Sequence, residues 1–493
     1  MGAAYLVIET TRYRRIAGHI MQIIDKIYLD GAFVEPHGTE WFDLFNPATE
    51  QVTGRVRLAD AVDAARAVDA ARRAFTTFSR SSRQDRLDML QRMHRALAAR
   101  EADLIEAIVE EYGAPASRAR WMARHASDVL LDAANVLQDY PFTRRAGSAE
   151  VIMQPLGVAG LITPWNNDAG FIAGKLAVAL AAGCTAVIKP SEMSAMQTRI
   201  VTEALHAAEL PAGVFNIVTG RGETVGAAIA THPDVAKLSF TGSTAVGKSI
   251  LRGAAETLKR TTLELGGKSP VIVLDDANFD EAVPLALQAG FMNSGQACIA
   301  GTRILVPAAS LRAFEAHVVK AVAEFRSGDP RDAATSIGPM VSQKQWDRVQ
   351  RYIRIGLEEG ARLIAGGVGR PDGIDAGWFV RPTVFSDVTN DMTIAREEIF
   401  GPVLSIIAYH DMDDAIRMAN DTAYGLQAYV LSSDTARARE VALQIEAGRV
   451  LVNTLRHEPA APFGGFKQSG IGREYGTFGL EAFMEPKSLL GVA

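Results

Sequence analysis

Residues 158–190 read VAGLITPWNNDAGFIAGKLAVALAAGCTAVIKP, and this stretch decides the fold. Residues 158–162 form a short apolar run typical of a buried strand, and the segment that follows, through Lys175, is helical in pattern. A second apolar run at 186–188 leads into another helical segment through Leu205. A strand, a helix and a second strand make one unit of an α/β fold.

This alternation of strands and helices continues along the chain. Residues 215–218 and 236–240 are two more strand-like runs, each followed by a helical segment. Four such units in a row predict an open parallel sheet whose strand ends build a ligand crevice. A second series runs from 271 to about 451. We therefore predict an α/β fold with two open, Rossmann-like parallel-sheet domains.

Length and charge exclude several classes of protein. A chain of 493 residues exceeds what one hydrophobic core usually supports, which agrees with two domains. The formal net charge of −6 is small for this length and gives no electrostatic reason to bind nucleic acid or an anionic membrane. No apolar run approaches about 20 residues, so no membrane-spanning helix is expected. A small molecule is the expected ligand.

The cysteine and histidine content bears on compartment and metals. Two cysteines, Cys184 and Cys298, make no disulfide framework, which indicates a reducing compartment, and we predict a cytoplasmic protein. His457 and Glu458 are not followed by the second histidine of an HExxH motif. No other histidine pair has zinc-ligand spacing, so we predict no metal site.

Two terminal segments and one internal segment differ from the rest. In residues 1–20 a short apolar stretch precedes the arginines, the reverse of a secretory signal, so we predict an N-terminal extension. Residues 141–154 change from polar to alternating and, with 481–492, are predicted to form projecting strands. Because exposed strand edges pair readily with another subunit, we expect an oligomer.

Cys298 is the candidate nucleophile. It follows NSGQA, residues 293–297, whose small and polar side chains leave room for a substrate. A thiolate is the reactive form, and a nearby helix start could lower the pKa of the thiol. The alternative is a small core residue, which a lone cysteine more often is, and Cys184 in its apolar run is interpreted that way.

Two polar residues beside predicted strands are candidate partners of Cys298. Glu264 stands between two leucines and before a double glycine, where burial of a carboxylate is costly. It is interpreted either as a general base with a raised pKa or as half of a salt bridge with a nearby lysine. Asn166 either donates its amide N–H to an oxyanion or forms an Asx turn.

Two strand-to-helix turns suit a nucleotide. Gly242 and Ser243 lie at one of them, where glycine lets the backbone approach a pyrophosphate and the helix N-terminus favours its charge. Lys189 and Glu192 follow another strand and could bracket a ribose. Each turn is weak evidence by itself.

Taken together, the motifs resemble the aldehyde dehydrogenase superfamily, from about residue 24 to the C-terminus. They occur in the family's order and near its spacing: TPWN at Thr163, KPSE at Lys189, FTGSTAVG at Phe240, LELGGKSP at Leu263, GQACIAGTR at Gly295, EEIFGPV at Glu397 and PFGGFKQSGIGRE at Pro462. One such motif would be weak evidence, whereas the ordered set is specific.

The resemblance implies an NAD-dependent oxidation of an aldehyde through a thiohemiacetal and a thioester. It implies Cys298 as nucleophile, Glu264 as the base that activates water, and Asn166 with the main-chain N–H of Cys298 as oxyanion hole. The residues implied or predicted to bind the cofactor are Trp165, Lys189, Glu192, Gly222, Gly242, Ser243, Glu398 and Phe400. A carboxylate at Glu192 suits the free 2′-hydroxyl of NAD and repels the 2′-phosphate of NADP, so we predict NAD.

The resemblance also implies a division of the chain. We predict an NAD-binding domain from 21–139 and 155–263, a catalytic domain from 264–461, and an oligomerisation arm from 140–154 and 475–493. The arm is expected to build a homodimer or a homotetramer.

The sequence departs from the family pattern where substrate enters. Asn167 and Asp168 replace an aromatic or small apolar residue and a proline, and Gly174 stands where many members have a bulky aromatic. The loop before Pro462 is polar and includes Arg456. These changes predict a wide, polar pocket for a functionalised aldehyde, with a semialdehyde as one candidate, whose far end meets Arg456 or Asn167. Arg456 pointing to solvent is the alternative.

Two rival functions are weighed. A CoA-acylating semialdehyde dehydrogenase would use a thiol in place of water, but such relatives commonly lack the base glutamate, and Glu264 is present. A catalytically silent structural or binding homologue would be free to lose Cys298 or Asn166, and both are intact.

Overall fold

The computed structural model describes residues 12–16 and 19–491. Most of the predicted N-terminal extension, residues 1–20, therefore lies outside the described residues. Strands and helices are numbered below in chain order.

The first large sheet has eight strands in the order β21-β13-β12-β9-β10-β11-β3-β4. Its strands are β3 (Ile27–Leu29), β4 (Ala32–Val34), β9 (Val158–Ile162), β10 (Thr185–Lys189), β11 (Phe215–Ile217), β12 (Val235–Thr241), β13 (Arg260–Glu264) and β21 (Gly470–Ile471). The five central strands, from β13 to β11, pair in parallel, and the outer pairs are antiparallel. All five residues of β9 and of β10 are buried, because helices cover both faces of a parallel sheet.

The second large sheet has seven strands in the order β16-β17-β18-β15-β14-β19-β20. Its strands are β14 (Pro270–Val273), β15 (Arg303–Pro307), β16 (Arg362–Ala365), β17 (Thr383–Ser386), β18 (Val403–Tyr409), β19 (Gln427–Leu431) and β20 (Arg449–Val452). All pairs are parallel except β16 with β17. The predicted α/β class with two mainly parallel sheets is confirmed.

Two small sheets complete the strand inventory of the described residues. One has the order β1-β2-β6-β5 and contains β1 (Arg12–Ile16), β2 (His19–Ile24), β5 (Trp41–Phe45) and β6 (Val52–Arg57). The other has the order β22-β8-β7 and contains β7 (Thr143–Ala146), β8 (Ala149–Pro155) and β22 (Met484–Leu489). All four residues of β7 are exposed, so this sheet presents a free edge in the described chain.

Helices connect the strands and cover the sheets. The α-helices are α1 (Ala61–Phe78), α2 (Arg83–Ala98), α3 (Glu101–Ala107), α4 (Ala116–Asp139), α5 (Asp168–Ala182), α6 (Ala195–Ala207), α7 (Ala227–Thr231), α8 (Thr244–Ala255), α9 (Phe279–Phe291), α10 (Leu311–Val322), α11 (Gln343–Glu358), α12 (Thr393–Arg396), α13 (Met412–Asn420), α14 (Thr435–Ala442) and α15 (Gly476–Glu481). Asp60 caps α1 as its position predicts, since its carboxylate accepts hydrogen bonds from the N–H groups of Val62 and Asp63.

The parallel pairing brings the carboxyl ends of the central strands to one edge of the first sheet. The loops after β9, β10, β12 and β13 carry Asn166, Glu192, Ser243 and Gly266. Helix α5 is buried along most of its length, which explains its nearly continuous apolar sequence. The fold thus gathers motifs that are far apart in the sequence.

Candidate active site

A cleft of about 930 Å³ collects most of the predicted site residues. Residues 341–351 also line it, mainly with polar side chains from the start of α11. The predicted residues that line the cleft are Trp165, Asn166, Glu192, Gly242, Ser243, Cys298, Glu398 and Phe400. Such a cleft at the ends of parallel strands is the usual ligand site of an α/β fold.

Cys298 reaches the cleft through a sharp reversal of the chain after α9. Asn293 and Ser294 have φ angles of 55° and 57°, and Gly295 continues the left-handed turn at 73°. A Cβ on Gly295 would lie 2.2 Å from the backbone of Gly401, so only glycine fits there. The turn leaves Cys298 half-buried on the cleft wall.

The electrostatic surroundings of Cys298 differ from the prediction. No helix begins beside it, because residues 296–302 form a loop. Burial and, after it, the nearby carboxyl groups of Glu398 and Glu264 together raise the pKa of the thiol to about 12. The hypothesis was that a nearby helix start could stabilise the thiolate, but the left-handed turn ends the helical path before the cysteine. In the free protein at neutral pH, this side chain is therefore the protonated thiol.

Asn166 is tied to the cysteine loop rather than to its own turn. Its Nδ2 donates a hydrogen bond to the main-chain oxygen of Gln296 at 3.0 Å. Asn293 completes the arrangement, since its own Nδ2 donates to the main-chain oxygen of Asn166 at 3.1 Å. An amide nitrogen has two hydrogens, so Asn166 keeps one donor for a ligand in the cleft. This arrangement fits the oxyanion interpretation and not the Asx turn.

Glu264 ends β13 as a buried carboxyl group, 2% exposed. Neither of its oxygens accepts a hydrogen bond from a described residue, and it forms no ion pair there, which argues against the salt-bridge alternative. Burial and the charge of Glu474 raise its pKa well above the usual value. A Cβ on Gly464 would lie 2.7 Å from Oε1, so a glycine is needed beside the carboxylate. A buried, unpaired carboxylate of this kind can accept a proton from water.

One end of the cleft is lined by charged groups. Lys189 Nζ lies 3.2 Å from Glu192 Oε2, and Arg221 Nη1 lies 3.6 Å from Glu192 Oε1. Gly222 begins a short π-helical turn directly after Arg221. Gly222 and Lys189 are not among the residues that line the cleft, although their neighbours are. Sequence reasoning missed Arg221, which the cleft lining includes.

The middle of the cleft lies at the start of α8. Ser243 is the N-cap of this helix, and its Oγ accepts a hydrogen bond from the N–H of Val246 at 3.4 Å. A Cβ on Gly242 would lie 2.4 Å from the ring of Phe240. The unpaired N–H groups and the dipole of a helix start favour an anionic group here.

The other end of the cleft contains Glu398 and Phe400. Glu398 Oε1 accepts a hydrogen bond from the N–H of Gly267 at 3.0 Å, and burial raises its pKa to about 7. The ring of Phe400 meets Trp165 edge-on at 5.5 Å. Phe400 has a φ of 63°, and Gln345 Nε2 donates to its main-chain oxygen at 2.7 Å. Gln345 therefore holds a strained turn, a role that its sequence position does not reveal.

Comparison with known proteins identifies the family. The family model described as the aldehyde dehydrogenase family matches residues 33–489. The chain belongs to the aldehyde dehydrogenase family. A solved structure of an aldehyde dehydrogenase C mutant from Pseudomonas syringae, in complex with NAD+ and octanal, is 44% identical, with 95% of this chain and 97% of that chain covered and a TM-score of 0.94.

Two further solved aldehyde dehydrogenases agree with this assignment. The enzyme from Mycobacterium tuberculosis, complexed with NAD+, is 40% identical, with 95% of this chain and 98% of that chain covered and a TM-score of 0.92. The betaine aldehyde dehydrogenase from Staphylococcus aureus, also with NAD+, is 34% identical, with 94% of each chain covered and a TM-score of 0.91.

Sequence reasoning missed a buried ion pair near Glu264 in this aldehyde dehydrogenase. Lys175 on α5 donates from Nζ to Ser239 Oγ at 3.0 Å and to the carboxylate of Glu474. Both charged groups act on the pKa of Glu264, Glu474 raising it and Lys175 lowering it. The only signal in the sequence is a lysine in an otherwise apolar helix.

The three tentative substrate residues do not line the cleft. The side chain of Asn167 folds over Gly170, whose Cβ would lie 2.6 Å from the Asn167 amide nitrogen. A Cβ on Gly174 would meet only Val129, at 3.9 Å, so this position does leave space. Arg456 is exposed, as the solvent alternative states.

Residues 12–16 and 19–491 contain neither a cluster of metal-binding side chains nor a membrane-spanning helix. No group of three or more histidine, cysteine, aspartate or glutamate side chains is placed to hold a metal ion. No helix in the same part of the chain is long and apolar enough to cross a membrane.

Proposed function

We propose that this aldehyde dehydrogenase oxidises an aldehyde to its carboxylic acid with NAD, through a thioester on Cys298. The observation that carries the proposal is the hydrogen-bonded loop of Asn166 and Gln296 beside Cys298. It supports the proposal because Cys298 and Asn166, the proposed nucleophile and oxyanion donor, both line one large cleft. The buried carboxyl group of Glu264, which acts electrostatically on the thiol, supplies the base.

The reaction follows from these groups. The thiolate of Cys298 attacks the carbonyl carbon, a C–S bond forms, and the carbonyl oxygen becomes an oxyanion. Asn166 Nδ2 and the main-chain N–H of Cys298 donate hydrogen bonds to that oxygen. The C–H bond of the same carbon must then break and lose its hydride, for which NAD would be the acceptor, and this leaves a thioester on Cys298. Glu264 takes a proton from water, whose oxygen attacks the thioester carbon and displaces the Cys298 sulfur. The carboxylic acid leaves and the free cysteine is restored.

The cleft suits NAD, which when bound supplies a hydride acceptor. Lys189 and Glu192 would hold the adenosine ribose, and Gly222 lies beside them. Gly242, Ser243 and Trp165 would hold the phosphates, since the helix start at 243 favours negative charge. Glu398 would hold the second ribose and Phe400 the side of the nicotinamide. The NAD+ complexes of the similar enzymes support this assignment.

The substrate is proposed to be a polar or functionalised aldehyde, with a semialdehyde as one candidate. The space at Gly174 supports a wide pocket. Asn167 carries a buried Oδ1 that accepts no hydrogen bond from a described residue. Arg456 is the third tentative contact, and its exposure weakens that assignment.

Domain roles, assembly and compartment complete the proposal. The cofactor domain comprises 21–139 and 155–263, and the catalytic domain comprises 264–461. The segments 140–154 and 475–493 form an arm for a homodimer or homotetramer, which the exposed strand Thr143–Ala146 supports. The two free cysteines fit a cytoplasmic location. Light scattering after size exclusion distinguishes dimer from tetramer, and a monomer would overturn the arm's assigned role.

The test is NADH formation, followed at 340 nm with purified protein, NAD and a panel of aliphatic, aromatic, amino and carboxylated aldehydes. Turnover that Cys298→Ala abolishes supports the proposal, and Cys184→Ala is the matched thiol control. Turnover that requires coenzyme A would favour the acylating alternative. Absence of both NAD binding and turnover would overturn the proposal.

A further inference from the structure

We propose that the aldehyde substrate carries a carboxylate, which the positive charges of Arg118 and Arg449 attract. The inference rests on the proposed oxidation at Cys298 and names its substrate class. Two arginines that form no ion pair with a described carboxylate lie at the two ends of a set of aromatic side chains. Below, this set is called the aromatic wall: Trp121, His125, His457, Phe463 and Tyr475.

One side of the aromatic wall is a face of α4. Arg118, Trp121 and His125 are three and four residues apart, so they share that face. The Arg118 guanidinium lies 4.0 Å from the centre of the Trp121 ring, and the Trp121 and His125 rings stack at 4.7 Å. Val129 continues the face one turn later and lies opposite Gly174, where a bulky side chain is missing.

The other side comes from the second half of the chain. Arg449 Nη1 lies 2.9 Å from Nδ1 of His457, and its guanidinium lies 4.8 Å from the centre of the Phe463 ring. The His457 ring meets Tyr475 at 4.7 Å and His125 at 6.4 Å. The contact between the two histidine rings connects the α4 side of the aromatic wall to the other side.

Contacts and hydrogen bonds connect both ends of the aromatic wall to the loop that contains Cys298. Burial raises the pKa of Tyr112, and the charge of Arg118 acts on the same pKa and lowers it. The hydroxyl of Tyr112 accepts a hydrogen bond from Gln296 Nε2 at 3.5 Å. On the other side Arg449 Nε donates to Gln427 Oε1 at 2.6 Å, and Gln427 is bonded to Tyr429. Tyr429 in turn donates to the main-chain oxygen of residue 299, next to Cys298, at 2.9 Å. A ligand against the wall is therefore within the catalytic neighbourhood.

The two guanidinium groups retain donors for an anion. Arg118 Nε is buried and has no hydrogen-bond partner among the described residues. Arg449 uses two of its five N–H groups, on Gln427 and His457, and neither arginine forms an ion pair with a described carboxylate. A partly buried cation is costly unless it is paired, and the planar guanidinium matches a carboxylate with two parallel hydrogen bonds.

The histidines do not supply the positive charge. Burial, together with the neighbouring cations, lowers the pKa of both His125 and His457 to about 4, so both rings are neutral at pH 7. The acidic Glu458, next to His457, is exposed and makes no ion pair with either arginine among the described residues. The charge that an anionic substrate meets is that of Arg118 and Arg449.

The experiment compares carboxylated aldehydes with uncharged partners of similar shape. We would measure kcat and KM with NAD for 4-carboxybenzaldehyde against 4-methylbenzaldehyde, and for 4-oxobutanoate against pentanal. The wild-type protein is expected to favour the carboxylated member of at least one pair by about tenfold or more in kcat/KM, the usual effect of one charge-assisted hydrogen bond. High salt reduces the preference by screening the attraction.

The variants assign the preference to the two arginines. Arg449→Gln and Arg118→Gln are expected to raise KM for the carboxylated aldehyde about tenfold and to leave the uncharged partner nearly unchanged. Arg124→Gln, at an exposed arginine of the same helix α4, is the matched control and keeps the preference. Arg456→Gln tests the rival contact named in the proposed function. Because the uncharged aldehyde reports on folding and chemistry in the same variant, a misfolded protein is recognised at once.

The outcomes separate this inference from the proposed function. Equal kcat/KM for both members of both pairs overturns the carboxylate inference and leaves the oxidation standing. A preference that Arg456→Gln removes, but the other two variants keep, overturns the assignment to Arg118 and Arg449. No oxidation of any aldehyde by the wild-type protein is the failure of the proposed function itself.

Discussion

The side-chain nitrogen of Asn166 donates a hydrogen bond to the main-chain oxygen of Gln296 at 3.0 Å and so ties the end of one strand to the loop of Cys298. The two residues are 130 positions apart. The bond holds the amide in place and uses one of its two N–H donors, and Asn166 also lines the cleft. This contact sets the geometry on which the oxyanion role depends.

The oxyanion role predicts a loss of rate on removal of the amide. Asn166→Ala is expected to lower kcat by about 10²- to 10³-fold, since one preorganised donor contributes that much to an oxyanion. Steady-state NADH formation measures it, and the KM for NAD should stay within about threefold if the cofactor site is intact. A fall in kcat of less than fivefold would argue that the main-chain N–H of Cys298 is sufficient to stabilise the oxyanion.

The raised pKa of Cys298 predicts slow, pH-dependent alkylation of the free protein. Because the thiol is protonated at neutral pH, the rate of reaction with iodoacetamide should still be rising between pH 8 and about 9.5, as the thiolate fraction grows roughly tenfold per pH unit. Mass spectrometry of the labelled peptide measures this rate. Cys184→Ala is the control, since that cysteine is fully buried. A plateau below pH 8 would contradict the raised pKa.

The base role of Glu264 predicts a block after the first half-reaction. Glu264→Gln should release acid about 10²- to 10⁴-fold more slowly, with a rapid burst of NADH near one equivalent per site. In the wild-type protein the base works only when ionised, so its contribution is present above its raised pKa and is lost as pH falls through that pKa. Stopped-flow measurement between pH 5 and 9 checks both. Wild-type steady-state turnover in the variant would exclude the role.

Glu474 tunes that pH dependence. Its charge raises the pKa of Glu264, so Glu474→Gln should move the midpoint of acid release to lower pH. In this variant Lys175 loses its ion-pair partner. Breaking a buried ion pair costs about 3–5 kcal/mol of folding stability, and thermal unfolding measures this loss. Lys175→Met, which removes the opposite charge, should move the midpoint to higher pH. Shifts in the same direction for both variants would refute the electrostatic explanation.

Glu192 predicts the cofactor preference. Its carboxylate repels a 2′-phosphate, so Glu192→Gln should raise kcat/KM for NADP relative to NAD on the order of tenfold or more, helped by Arg221 at 3.6 Å. Glu40→Gln is the matched control, because Glu40 also pairs with Arg221 but is not part of the cleft lining. A wild-type protein that uses NADP as well as NAD would contradict the prediction.

Strands of the first sheet could be predicted from the local sequence pattern. The apolar run at 158–162 coincides with β9, and the run at 186–188 lies within β10. Both predictions succeed because strand formation here depends on short buried apolar runs bounded by turns, a property of neighbouring residues. The motifs after the strands then meet because parallel strands end at one edge.

The local sequence pattern did not predict the environment of the site residues. A nearby helix start was the hypothesis for a lowered pKa of Cys298, whereas no helix begins beside this residue, and burial and the charge of Glu398 raise its pKa. A pKa depends on the desolvation and charges that the whole fold places around a group, and local sequence does not contain them.

The sequence by itself determined the α/β class and the order of the motifs, because these depend on local periodicity and on the residues themselves. From side-chain chemistry it also predicted Cys298 as nucleophile, Glu264 as base and Asn166 as oxyanion donor. Only the tertiary structure decided which groups surround them: Lys175 with Glu474 near the base, and Arg118 and Arg449 on the aromatic wall. Those partners are up to about 330 residues apart, and packing of the two sheets and their helices is what brings them together.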